Sequence, residues 1–166
     1  MTAPDDVDRI VEAWQRERPD LDFAPLHVLS RLGRVAKHLD HARKDAFAAS
    51  AIETWEFDVL AALRRAGSPY ELSPTALLRQ TLVSSGTMTN RIDRLTARGL
   101  VERHTDPHDG RGIIVRMTAA GRERVDRAIS ALVVAEAELL SGLSRTDQER
   151  LASLLRMLGA GFEGTA

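Results

Sequence analysis

Between Ser84 and Arg98 the polar side chains fall in an order that suits contact with a nucleic-acid duplex. Met88, Ile92 and Leu95 stand at i, i+4 and i+7, so they share one face of a helix, and that face must pack inward. The opposite face carries Gly86, Thr87, Asn90, Asp93, Arg94 and Ala97. Asparagine pairs with the adenine edge and arginine with the guanine edge, so Thr87, Asn90 and Arg94 are candidates for reading bases. Gly86 and Ala97 are too small to hold a duplex away. The hydroxyls of Ser84, Ser85 and Thr89 suit phosphate oxygens, beside the positive end of the helix dipole. An ordinary solvent-facing helix has a similar composition, so the elements around this one must decide.

Ser73–Pro74 opens a short helix that ends near Gln80, with a serine cap and proline at the first helical position. Thr81–Leu82–Val83 is a three-residue break, and Ser84 caps the next helix, which stops at Gly99. Two β-branched-rich runs follow, Leu100–His104 and Ile113–Met117, and the Asp–Pro and Asp–Gly steps between them predict a hairpin. Two short helices joined by three residues and followed by a hairpin form a winged helix-turn-helix. Its second helix enters the major groove, and its hairpin reaches a phosphate or the minor groove. Arg111, between Gly110 and Gly112 at the hairpin tip, fits a narrow minor groove, although a solvated loop arginine has the same look.

The flanking sequence predicts helices over Asp5–Arg18, with Ile10, Val11 and Trp14 on one side, and from Ala24–Pro25 to about Ser50. Leu26, Leu29, Leu32, Val35, Ala36 and Leu39 form the apolar stripe of the second. A third helix is capped by Thr54 and ends at Gly67. Thr118 caps a long helix from Ala119 to about Ser141, and Ser144 with Asp147 resembles a capping box for a last helix through Leu158. The expected fold is mainly α with a small β-hairpin wing. A single domain is expected over 1–166: N-terminal helices at 5–50, the winged helix-turn-helix at 54–118, and C-terminal helices, apolar enough for dimerisation, at 119–160.

The 166 residues, 43% of them hydrophobic, suffice for one core. Net charge is −1, yet Leu72–Arg116 holds seven arginines against four acids, a basic +3 segment on an acidic remainder. The absence of cysteine excludes disulfides, cysteine-ligated metals and thiol redox sensing. No stretch approaches the roughly 20 apolar residues of a membrane helix, and the acidic N-terminus is unlike a signal peptide, so a cytoplasmic protein is expected.

Catalysis has little to build on. His27, His38, His41, His104 and His108 join no serine–carboxylate grouping, and there is no glycine-rich phosphate loop. His38 and His41, at i and i+3, leave a metal-sensing variant open, but no metal or other cofactor is expected. An interaction module that has lost DNA binding is a second alternative.

Asp109–Gly110–Arg111–Gly112–Ile113–Ile114–Val115–Arg116–Met117–Thr118 resembles the wing motif D-x-R-x-x-x-V-x-L-T of the multiple antibiotic resistance regulator (MarR) family, with Met117 where leucine is usual. Ser84–Arg91, Arg98–Arg103 and Trp55–Leu60 are similar to that family as well. The resemblance implies a homodimer gripping a pseudo-palindromic double-stranded operator, most often as a repressor. Trp14 followed by Glu17–Arg18–Pro19–Asp20–Leu21–Asp22 resembles the family's urate-responsive branch. That likeness implies an effector site of Trp14, Asp58, Arg91 and Arg103 for urate or a related purine. A phenolic acid remains an alternative effector. From the residues themselves, Asp58 lies on a helix that is apolar nearly all round, so its carboxylate should be partly buried and should need a partner. Arg91, on the edge between the packed and polar faces of its helix, is placed to turn toward the protein body. A purely structural ion-pair network would use the same residues.

Overall fold

The computed structural model describes residues 3–81, 83–107, 110 and 112–163. The chain divides into two compact units, Met1–Arg43 and Lys44–Ala166.

The first unit contains α1 (Asp6–Glu17) and most of α2 (Ala24–Ala48). Asp5 caps α1, accepting from the Val7 and Asp8 amides at 2.8 and 3.0 Å, while the Asp8 carboxylate accepts from the Asp5 amide at 2.9 Å. This reciprocal box satisfies donors that a helix start leaves open. Arg31 of α2 donates to Asp5 at 2.8 and 2.9 Å and to Asp8 at 2.7 Å, joining the two helices. The Arg31 guanidinium, helped by the Asp8 and Val7 amides, holds the Asp5 carboxyl down at about 2. Val7 and Val11 form the buried face of α1. Ile10 is exposed, contrary to the expected side, because the i, i+4 pair that packs is Val7–Val11. Trp14 is 50% exposed and stacks on Phe23 at 6.2 Å.

The second unit comprises α3 (Thr54–Arg65), β1 (Glu71–Leu72), α4 (Pro74–Thr81), α5 (Ser85–Ala97), β2 (Val101–Thr105), β3 (Ile113–Met117), α6 (Ala119–Leu139) and α7 (Arg145–Glu163). The strands form an antiparallel sheet in the order β1-β3-β2, with Leu72 opposite Val115 and Arg103 opposite Val115 on its other side. The expected hairpin is therefore present with a third strand beside it. Glu71 and Arg116, paired in register, also form a 2.6 Å ion pair.

The core of this unit is built around α3, buried on most of its circumference, with one face each of α4, α5 and α6 packed against it. Leu60 and Leu63 of α3, Leu77 of α4, and Met88, Ile92 and Leu95 of α5 are all essentially inaccessible, together with Leu100 and Val115. Each such side chain contributes roughly 1.5–3 kcal/mol through burial. Phe47 and Phe57 stack at 4.3 Å beneath them.

Three end signals fix the helices around the turn. Ser73 Oγ accepts from the Ala76 amide at 3.2 Å, and Ser84 caps α5. At the far end Gly99 has φ +68°, and its amide reaches the Thr96 carbonyl while that of Leu100 reaches Leu95. This is a Schellman ending, whose left-handed residue favours glycine. Thr54 is not the cap of α3. Glu53 holds that position, and its own amide donates to Glu56 Oε2 at 2.9 Å.

Thr118 caps α6 through the Gly121 amide at 3.0 Å. Gly121 sits against the Leu100 carbonyl so closely that any β-carbon there would collide with backbone. Ser144 Oγ accepts from the Asp147 amide at 3.2 Å at the start of α7. None of its described side chains is buried, and Leu151, Leu154, Leu155, Met157, Leu158 and Phe162 are exposed along it. No described helix is long and apolar enough to cross a membrane.

Candidate functional site

The three buried positions of α5 leave the other side of the helix free. Ser84, Ser85, Gly86, Thr87, Thr89, Asn90, Asp93, Arg94 and Ala97 are all exposed. Thr87, Asn90 and Arg94, at i, i+3 and i+7, make one stripe opposite Met88, Ile92 and Leu95. Two of the hydroxyls expected to meet phosphates, those of Ser84 and Thr89, are engaged locally. Ser84 Oγ and Thr87 Oγ1 lie 2.9 Å apart, and Thr89 Oγ1 donates to the Ser85 carbonyl at 3.1 Å. Such exposed bonds can be exchanged for phosphate oxygens at little net cost. Arg111, the expected wing-tip contact, lies outside the described residues.

Arg94 is folded back. Its guanidinium lies 4.5 Å from the centre of the Trp55 ring, and Nη2 is 3.3 Å from Glu53 Oε1. Glu53 also accepts from Trp55 Nε1 at 2.7 Å, so carboxylate, indole and guanidinium form one clasp. Arg91 lies 5.8 Å from the same ring.

Beneath this clasp is a cavity of about 540 Å³ lined by Lys44, Glu53, Thr54, Trp55, Asp58 and Arg91. Its size falls in the range of small-molecule sites. Asp58 is partly buried, as its helix predicted, and it shares the cavity wall with Arg91. Arg91 Nη1 is buried without a hydrogen-bond partner, a donor that costs free energy until something accepts from it. Two of the four effector residues implied by resemblance are thus brought together. Arg103 instead pairs with Asp93 at 2.6 Å, and Trp14 belongs to the first unit.

Sequence reasoning did not single out Lys44, Glu53 or the Trp55 ring as parts of this site. It also passed over Glu56, the fully buried carboxylate of α3, at 0% exposure. Glu56 Oε2 accepts from Arg98, and Arg98 Nη2 donates to the Ala51 carbonyl at 2.6 Å. Arg124 of α6 donates to that same carbonyl at 2.8 Å. Ala51 has φ +52°, a left-handed conformation that costs a non-glycine residue roughly 1–2 kcal/mol and needs such support. Among the described residues, no group of three or more His, Asp or Glu is arranged to hold a metal ion.

Residues 52–112, from Ile52 before α3 to Gly112 before β3, match the model described as "MarR family". The chain is 35% identical over 150 residues to the HTH-type transcriptional regulator PecS of Dickeya dadantii, covering 90% of each protein. It is similar to a mutant MarR from E. coli complexed with operator DNA, with 26% identity and a TM-score of 0.70 over 83% of this chain and 99% of that one. It is also similar to BpsR of Bordetella bronchiseptica, whose DNA binding is regulated by 6-hydroxynicotinic acid, with 26% identity and a TM-score of 0.68 over 80% and 92% of the two chains. The exposed stripe of α5, the three-stranded wing sheet and these likenesses lead to one assignment: the chain belongs to the MarR family and is a winged helix-turn-helix transcriptional regulator, not an enzyme.

Proposed function

We propose that this regulator binds a pseudo-palindromic operator as a homodimer, acts as a repressor, and is released by a planar anionic aromatic effector such as urate. The observation that carries the DNA-binding part is the stripe of Thr87, Asn90 and Arg94 on an exposed helix face whose reverse side is anchored in the core. Asn90 and Arg94 read bases. Ser84, Ser85 and Thr89 hold phosphates at the positive start of α5, and Arg111 enters the minor groove. The operator complex formed by the E. coli relative supports this reading.

Dimerisation is supported by uncovered apolar side chains. Those of α7 are joined by Ile129, Val133 and Val134 on α6, and in the first unit by Val28, Leu29 and Val35. Uncovered apolar faces of this kind mark an interface, and a two-fold partner buries the same face on both copies.

The effector reading rests on the cavity beside Trp55. An anionic ring placed there accepts from Arg91 Nη1, meets Lys44 and confronts Asp58. It also competes for the indole and the carboxylate that hold Arg94. A ligand releases DNA only by binding the DNA-incompetent form more tightly, so occupancy must change how α5 is held. The regulation of BpsR by an aromatic hydroxy acid supports an effector of this class.

The test is operator affinity measured with urate, with an aromatic carboxylate and with neither, on the wild type and on Asp58→Asn, Arg91→Gln and Trp14→Ala. Loss of affinity with urate, abolished in Arg91→Gln, is the expected result. Equal affinity at saturating urate rejects it as the effector, and a response to the carboxylate alone reassigns the ligand.

A further inference from the structure

The geometry points to Glu56, Arg98 and Arg124 as positioning residues that set the angle of α5 against α6 through the Ala51 carbonyl. Their effect on operator choice rests on the DNA-binding reading above, whereas their effect on helix geometry does not.

Four elements meet at this node. Glu56 is on the first turn of α3, Arg98 is the C-terminal cap residue of α5, Ala51 is in the turn before α3, and Arg124 is on α6. Oε2 of Glu56 accepts from both Arg98 and the Glu53 amide, while Oε1 is buried without a hydrogen-bond partner. A fully buried carboxylate with one unsatisfied oxygen is an expensive way to build a helix end. Side chains with no duty beyond packing would fill that space at lower cost.

Arg98 supplies the connection. One arm of its guanidinium meets Glu56 and the other meets the Ala51 carbonyl at 2.6 Å. Arg124 approaches the same oxygen from α6 at 2.8 Å. A single backbone oxygen therefore ties the end of the reading helix to the helix that carries Ile129, Val133 and Val134 outward. Ala51 adopts its left-handed conformation inside this clamp, so its carbonyl has a fixed direction. A planar guanidinium with two simultaneous acceptors fixes orientation as well as distance, which an apolar contact does not.

In a dimer joined through α6 and α7, the angle between α5 and α6 determines how far apart two reading helices stand. Half-site spacing on DNA is set by that separation. The node is then a determinant of which operators fit, without any of its residues touching DNA.

Spin labels test this directly, because the sequence contains no cysteine and labels attach only where one is introduced. Thr96→Cys on α5 and Ser130→Cys on α6, diluted with unlabelled chain, report the distance within one protomer. Glu56→Gln keeps the shape and removes the charge. Arg98→Lys keeps the charge and removes the fork, and Arg124→Gln removes the second donor to the Ala51 carbonyl, from α6. We expect each to shift or broaden the α5–α6 distance by about 1–2 Å. With operators whose half-site spacing is varied, the preferred spacing moves and affinity for the original falls by about tenfold, at an unchanged salt slope. If Glu56→Gln does not fold, Arg124→Gln and Arg98→Lys decide. Distances and spacing preference identical to wild type in these folded variants overturn the assignment. A distance shift in a protein that binds no duplex upholds the node and removes the DNA-binding reading instead.

Discussion

Replacing Glu53 by glutamine should tighten operator binding, because the arginine expected to read a base is held back by that carboxylate. In the free protein Arg94 lies over Trp55 at 4.5 Å and 3.3 Å from Glu53. Both members of the ion pair are more than half exposed, so solvent screens it and its worth is ~0.2–1 kcal/mol. The glutamine still accepts from Trp55 Nε1 and leaves the indole in place, so the charge attraction is what changes. Removing that from the free state strengthens binding by about 1.4- to fivefold. Loss of a negative charge near DNA also helps every phosphate contact, and a second background separates the two effects. In Arg94→Ala the clasp is gone, and Glu53→Gln then adds only its general electrostatic share. The assay is operator titration by fluorescence anisotropy on wild type, both single variants and the double variant, at two salt concentrations. Arg94→Ala alone should cost about 1–3 kcal/mol. Equal effects of Glu53→Gln in the two backgrounds would show that the clasp does not restrain Arg94.

Gly121→Ala should lower stability by about 1–3 kcal/mol or more, read as a fall in urea midpoint, because the added carbon meets the Leu100 backbone carbonyl. Leu154→Glu with Leu158→Glu, on the uncovered face of α7, should convert a dimer to a folded monomer, measured by light scattering. In the first unit, the Asp5 carboxyl is lowered to about 2 against an ordinary 3.8. The Asp5–Arg31 contribution is therefore present above about pH 4 and is lost as pH falls through about 2. Carboxyl NMR should place the Asp5 midpoint near 2, and Arg31→Gln should move it back toward 3.8.

The parts of the fold that repeat locally could be read from the residues. Met88, Ile92 and Leu95 are buried where a 3.6-residue period puts them, and Gly99 ends α5 as a left-handed cap. The strand β1 was not legible, since Glu71–Leu72 is only two residues long and exists by pairing with β3, some 40 residues later. On α1 the expected Ile10 is exposed and Val7 is buried beside Val11 instead, because an amphipathic stripe permits either edge to face inward. At the site, the polar stripe of α5 followed from periodicity. The clasp on Arg94 did not, since Trp55 and Glu53 are about 40 residues away and only folding brings them beside it. Glu56 was hidden for a similar reason. A glutamate three residues after a helix cap signals a solvent-facing capping box, and only the arrival of Arg98 and the core makes it buried.

In vitro selection from a random duplex library, run in parallel on the wild type and on Asn90→Ala, tests the reading helix most directly. The account predicts a two-half-site motif for the wild type, and for the variant the same spacing with discrimination lost at one symmetric base position in each half. Selection of no common sequence by the wild type, or an identical motif from both proteins, would contradict it.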